Sequence, residues 1–272
     1  MSTVFKVFDV ESQSNLDYAR SCATMLSTIV QQKPRVQCIT NTAAMDFTSD
    51  IVLAVGARPS LTMGIDEIRE FVASCDALSI NIGTLDSARK AAIIPAIETA
   101  NDYQRPWVLD PVSAHASEKR CEYARELLEL KPTVIRGNIA EIKALVGRDT
   151  PDAAWILAQE TGAVVAQTGE ADIITDGTKA LMIANGDEMQ TRVSAMGCAA
   201  TAFVATFLAV NRRAFDATVQ ALLALSVAGE VAAAKSAGPG SLHMHILDTL
   251  YSLDKTLLEQ RAHLLKCEEV AA

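Results

Sequence analysis

Short, nearly continuous apolar runs alternate with longer stretches of helical periodicity along most of the chain. Residues 35–39, 60–63, 77–81, 106–109, 133–136 and 163–167 are β-prone runs of four or five residues. Runs apolar on both alternating faces predict strands buried on both sides, as in a parallel sheet. Between them, helical patterns cover residues 16–32, 45–56, 65–74, a longer stretch ending at Asn101, 118–129 and 138–146, with one more ahead of Ala163. Pro34 ends the first of these, because proline cannot continue a helix. Residues 172–175 and 179–184, joined at Asp176-Gly177, predict a β-hairpin. A polar, β-prone run (188–193) then feeds a stretch of small apolar residues (198–210), read as a strand or loop entering a buried helix, and helices fill the remainder. The alternation predicts an α/β fold of three layers, a mainly parallel central sheet with helices on both faces. No linker, repeat or low-complexity stretch interrupts it, so residues 1–272 are expected to form a single domain.

Composition narrows this further. Half of the residues are hydrophobic but only 5% aromatic, which predicts an aliphatic, alanine-rich core. A formal net charge of -9 and a pI near 5.0 exclude the clustered positive charge of a nucleic-acid footprint. No apolar run reads as a bilayer span and the first residues lead into polar sequence, so a cytoplasmic protein is expected. The six cysteines are scattered without C-x-x-C spacing, so neither a zinc site nor a redox pair is indicated.

Ligands of open α/β sheets bind beyond the carboxyl ends of the strands, and the polar residues of this chain gather there. Asn41 follows the first strand, Asn81 and Gly83 the third, and Asp110 the next. Then come Arg136-Gly137-Asn138 with Glu141 a turn on, Thr168-Gly169-Glu170, and Gly197-Cys198 at the start of the apolar helix. Singly, each has an ordinary explanation: Asp110 as a turn cap, Glu141 as a first-turn carboxylate favoured by the helix dipole, Cys198 as a packed core thiol. Together, two acids, an arginine and a helix N-terminus on one rim suit a magnesium nucleotide, since Mg²⁺ takes one or two carboxylates plus phosphate oxygens. A cysteine in a first helical turn is expected to ionise below its free value of about 8.5. Neither G-x-x-x-x-G-K-[ST] nor G-x-G-x-x-G is present, which excludes a P-loop and disfavours a dinucleotide fold.

Between Arg35 and Leu250 the chain resembles the hydroxyethylthiazole kinases of the ribokinase-like superfamily. The resemblance is carried by Ile39-Thr40-Asn41, Leu53-Ala54-Val55-Gly56-Ala57, Ile80-Asn81-Ile82-Gly83-Thr84-Leu85 and Pro106-Trp107-Val108-Leu109-Asp110-Pro111-Val112. Ile135-Arg136-Gly137-Asn138, Thr168-Gly169-Glu170, Thr175-Asp176-Gly177 and Gly238-Pro239-Gly240-Ser241 continue it in order. It implies a ribokinase-like fold and ATP-dependent phosphorylation of 4-methyl-5-(2-hydroxyethyl)thiazole in thiamine salvage, with Mg²⁺, by a homotrimer whose sites lie at subunit interfaces. Cys198 matches the position where related sugar kinases carry an aspartate base, and Gly197 would shape the anion hole. Asp110 and Glu141 would organise Mg²⁺, with Asn138 beside them. Arg120 and Thr168 match ATP-contacting positions, and Met45 and Ala195, with Asn41, the thiazole site. The chain departs from the family in reading Ala195-Met196-Gly197-Cys198 for Gly-Thr-Gly-Cys, Ser113-Ala114-His115-Ala116-Ser117 for a glycine-rich segment, and Ala140 for Ser. Those departures keep two alternatives open: a kinase for another small heterocyclic alcohol, and a non-catalytic ligand-binding relative.

Overall fold

A computed structural model describes residues 4–9 and 12–270. Ten strands are present: β1 (Val4–Asp9), β2 (Arg35–Ile39), β3 (Arg58–Ser60), β4 (Ala77–Asn81), β5 (Trp107–Asp110), β6 (Val134–Asn138), β7 (Val164–Thr168), β8 (Asp172–Thr175), β9 (Ala180–Ile183) and β10 (Leu264–Val270). Eleven α-helices accompany them: α1 (Ser12–Gln32), α2 (Met45–Ala54), α3 (Ile68–Ala73), α4 (Ser87–Asp102), α5 (Glu118–Leu128), α6 (Ile139–Val146), α7 (Ala153–Thr161), α8 (Met196–Val210), α9 (Ala214–Ala233), α10 (Pro239–Ser252) and α11 (Lys255–Arg261). All ten strands join one sheet in the order β1-β10-β9-β8-β7-β6-β5-β4-β2-β3. The half from β3 to β7 is parallel throughout, and the half from β7 to β1 is antiparallel.

The strands are apolar on both faces because both are covered. Val36, Cys38, Val108, Val134 and Ala166 point into one core, built with α1, α2, α8, α9 and α10. Their neighbours Ile39, Leu109, Ile135 and Val165 point into the other, built with α3 to α7. The period of two along each strand thus divides its side chains between two layers. Helix α9 is apolar all round and by length and composition could cross a membrane, which the sequence pattern did not suggest. Yet 78% of that window is buried inside the fold, the state of a core helix.

Several elements differ from expectation. The polar tail of the chain forms strand β10 rather than more helix, and β1 pairs with it antiparallel along the edge of the sheet. Strand β3 lies at Arg58–Ser60 instead of residues 60–63, and α3 is confined to Ile68–Ala73. The β-prone run before α8 is a 3-10 helix, Glu188–Arg192. Its cause is local: the Asp187 carboxylate accepts from the Met189 N–H while the Gln190 carboxamide accepts from the Asp187 N–H, a reciprocal cap that outweighs strand propensity.

Candidate active site

Register assembles the rim. Asn81 pairs with Asp110 as β4 and β5 end, and Asn138 pairs with Thr168 as β6 and β7 end. The N-terminus of α8 opens over this row, and together they border a cleft of about 1000 Å³. Its walls include Asp110, Asn138, Glu141, Thr168, Ala195, Gly197 and Cys198.

Four side chains form a directional hydrogen-bonded chain across the strand ends. Asn41 Nδ2 donates to Cys198 Sγ (3.2 Å) and to Asn81 Oδ1 (3.2 Å), while Asn81 Nδ2 donates to Asp110 Oδ2 (2.8 Å). Thr201 Oγ1, one turn along α8 from Gly197, donates to the same Asp110 oxygen at 2.9 Å. The other oxygen, Oδ1, is buried with no partner. Burial pushes the Asp110 carboxyl up to about 7; Arg136, Thr201 and Asn81 pull against this, and Glu141 adds to it. Asp110 thus lines the cleft with one carboxylate oxygen left unsatisfied, a ligand atom suited to bind a cation.

Cys198 does not behave as its helix position led us to expect. Its thiol is raised, first by burial and then by the charge of Asp110; the amide donors of Asn41 and Asn81 and the Arg136 guanidinium offset only part of that. Burial and the Asp110 charge, both invisible in local sequence, outweigh the positive end of α8. The group presented to the cleft at neutral pH is therefore the protonated thiol.

Glu141 is chiefly a cap. Its Oε2 accepts from the Asn138 N–H (2.8 Å), Asn138 Oδ1 accepts from the Glu141 N–H (3.0 Å), and Oε1 accepts from the Ser113 N–H (2.7 Å). It thereby fastens the turn after β5 to the start of α6, with its remaining lone pairs free to accept from water.

Arg136, on β6, is the arginine that lines the cleft. It donates from Nη2 to Thr168 Oγ1 at 2.5 Å. A Cβ on Gly197 would lie 2.7 Å from Arg136 Nη1, so the guanidinium packs against the first turn of α8 and a side chain there would have to displace it. Arg120 instead donates to the Val112 carbonyl from α5 and is outside the cleft lining, because α5 lies on the face of the sheet away from α8. Met45, at the start of α2, is likewise not among the lining residues, and Asn41 reaches the cleft only through Cys198. Asp172, read from sequence merely as a hairpin residue, lines the cleft; burial raises its carboxyl to about 6 against the pull of Arg136 and the Gly169 N–H. Three non-glycine residues hold left-handed backbone on this rim: Thr84 (φ 45°), Ser113 (φ 57°) and Ala195 (φ 65°). Such strain gathers where a site over-determines its backbone.

A mainly parallel sheet with a helix N-terminus over its carboxyl rim, an arginine packed against the glycine of that first turn, and an under-satisfied buried carboxylate are the parts of a small-molecule kinase of the ribokinase-like class. Fold comparison agrees: a ribokinase-like superfamily protein from Enterococcus faecalis V583 superposes with a TM-score of 0.67 at 12% identity, covering 86% of this chain and 95% of that one. Within that class, the hydroxyethylthiazole kinase family model matches residues 26–256. The hydroxyethylthiazole kinase of Granulibacter bethesdensis is 41% identical over 252 residues, 88% of this chain and 92% of the relative. The solved hydroxyethylthiazole kinase of Pyrococcus horikoshii OT3 superposes with a TM-score of 0.87 at 33% identity, covering 93% of this chain and all of that one. The chain belongs to the hydroxyethylthiazole kinase family.

Proposed function

We propose that this protein transfers the γ-phosphoryl group of ATP to the hydroxyl of 4-methyl-5-(2-hydroxyethyl)thiazole. One observation carries the reading: the Cys198 thiol, the Arg136 guanidinium beside Gly197 and the Asp110 carboxylate converge at the N-terminus of α8, in a chain of this family. Phosphoryl transfer depends on positioning and charge neutralisation more than on a strong base, and these groups supply both. Asn138, Thr168 and Arg136 would hold the nucleotide, with the backbone N–H groups of α8 facing the transferred group. The alcohol would sit beside Cys198, Asn41 and Ala195, with Met45 bordering it. A protonated Cys198 suits orientation of the hydroxyl better than removal of its proton.

The lining holds six carboxylates (Asp110, Glu141, Glu170, Asp172, Asp187 and Glu188) and one guanidinium, Arg136. A bare triphosphate would be repelled, so the nucleotide is expected to enter with its cation. Asp110, through its unpartnered oxygen, and Glu141, through water, fit Mg²⁺ bound mainly by phosphate oxygens. Bound there, Mg²⁺ would neutralise charge on the phosphates during transfer. The reading extends to a single kinase domain, a cytoplasmic location and a homotrimer.

The test is ADP release with Mg-ATP and the thiazole alcohol, with the product identified by mass spectrometry. Thiazole-dependent ADP and a phosphorylated thiazole support the proposal. Binding of both ligands without product would overturn it. A Cys198→Ala variant with undiminished turnover would remove the thiol from the mechanism.

A further inference from the structure

We infer that Arg89 is a positioning residue: its guanidinium ties together the turns after β2 and β4, and so sets Asn41 and Asn81 against Cys198 and Asp110. Arg89 is 2% exposed, in the first turn of α4, where the Asp86 side chain caps its backbone N–H at 2.8 Å. Its Nη1 donates to the Thr40 carbonyl at 2.6 Å and its Nη2 to the Gly83 carbonyl. Among the described residues no carboxylate forms an ion pair with it, and its Nε is buried without a partner. A buried charge is costly, and both of its anchors are backbone carbonyls of the rim.

The position of those carbonyls gives the arrangement its meaning. The β2–β4 ladder ends at Ile39 and Ile80, and β4 stays bonded to β5 as far as Asn81 and the Ile82 N–H, which donates to the Asp110 carbonyl, so Thr40 and Gly83 lie just past the last rungs. Thr40 immediately precedes Asn41. Gly83 donates its N–H to Asn81 Oδ1 at 2.9 Å. One planar fork therefore joins the backbone just past these two strand ends, next to both asparagines of the chain running from Cys198 to Asp110: Asn41 follows Thr40 directly, and Asn81, the last residue of β4, accepts from Gly83. Lysine, with its donors on a single nitrogen, lacks the fixed fork that sets one nitrogen against each carbonyl.

The inference rests on the proposed kinase reading for its kinetic consequence, and on amide exchange for a consequence independent of it. In full-length Arg89→Met, exchange in residues 40–44 and 82–86 should rise roughly fivefold to tenfold, as expected for losing about one hydrogen bond at each turn, with the rest of the sheet unchanged. With Mg-ATP and the thiazole alcohol, kcat should fall about 10- to 100-fold while KM for ATP stays within about twofold. Arg89→Lys should lie between the parent and the Met variant in both readouts; if the Met variant does not fold, the Lys variant decides by the same criteria. Unchanged exchange at the two turns in a folded variant overturns the inference. So does exchange that rises uniformly across the sheet, which marks a purely structural role. If the parent itself turns over no thiazole, the kinase reading fails, and exchange at the two turns still judges the clamp.

Discussion

Replacing Asp110 by Asn should make the free protein more stable while removing its activity. Asp110 is fully buried, and its carboxyl stands at about 7 against an ordinary 3.8. At about 1.4 kcal/mol per pH unit, that gap corresponds to about 4 kcal/mol held against the folded state once the group is ionised. Because the folded-state value lies above the unfolded one, the folded chain retains the proton longer. Stability from this group is fully present below about pH 4, declines as pH rises toward 7, and is flat above that. Asparagine keeps the shape and one oxygen to accept from Asn81 and Thr201, but places an N–H where Oδ1 has no partner, at a cost of about 1–2 kcal/mol. The net gain at pH 8 is about 2–3 kcal/mol, or about 5–10 °C in Tm. Denaturant titrations of parent and Asp110→Asn in EDTA at pH 5, 6, 7 and 8 would measure it. The difference should widen from pH 5 to 7 and then level off. A variant no more stable than the parent at pH 8, or a difference independent of pH, would refute the reasoning.

Ala195→Gly should raise Tm by about 2–4 °C, because relieving left-handed strain of about 1–2 kcal/mol outweighs the about 0.4–1 kcal/mol of added chain entropy. An unchanged or lower melting point would mean that Ala195 is not strained. Gly197→Ala should displace the Arg136 guanidinium from Thr168 and lower kcat/KM for ATP by about 10- to 100-fold, the equivalent of one charge-assisted hydrogen bond, in an ADP-release assay. Its Tm should stay within a few degrees, since alanine suits a first helical turn. Gly229→Ala on α9 would bring a Cβ to 2.3 Å from the Gln190 carboxamide and break its bond to the Asp187 N–H. Alanine's helix propensity offsets the loss of about 1 kcal/mol, so chemical denaturation should show little change while amide exchange in residues 187–192 rises.

What could be read from sequence followed from burial. Strands β4 to β7 are covered on both faces, so each announces itself as an apolar run, and the rim residues Asp110, Glu141 and Cys198 stand out where those runs end. Strands β1 and β10 were not legible, because they mix charged with apolar residues and draw their pairing from opposite ends of the chain. Arg120 and Arg136 are chemically alike. The sequence already placed Arg136 at a strand end on the rim, and the β6–β7 register, which sets it beside Ala166 two positions before Thr168, brings it to the cleft. For Cys198 the sequence displays the helix start and hides the burial and the Asp110 charge that reverse its effect. Asn81 and Thr201 were visible only as a polar strand end and a small helical residue; their bonds to Asp110 come from packing β4, β5 and α8 together.

The seam between β1 and β10 also orders events during synthesis. The parallel half of the sheet, β2 to β7, uses neighbours made one after another, so it can assemble as the chain emerges. The first strand, by contrast, has its partner in residues 264–270, and β10 in turn must slot between β1 and β9. Until residues 264–270 have been made, β1 lacks its partner and β9 exposes an open edge, the type of surface on which sheets from neighbouring chains pair. Strand β10 covers β9 and pairs with β1 in one step, leaving the outer side of β1 as the border of the sheet. Deleting residues 264–270 would therefore leave a largely assembled site in a chain whose uncovered β9 makes it prone to stick to its own copies.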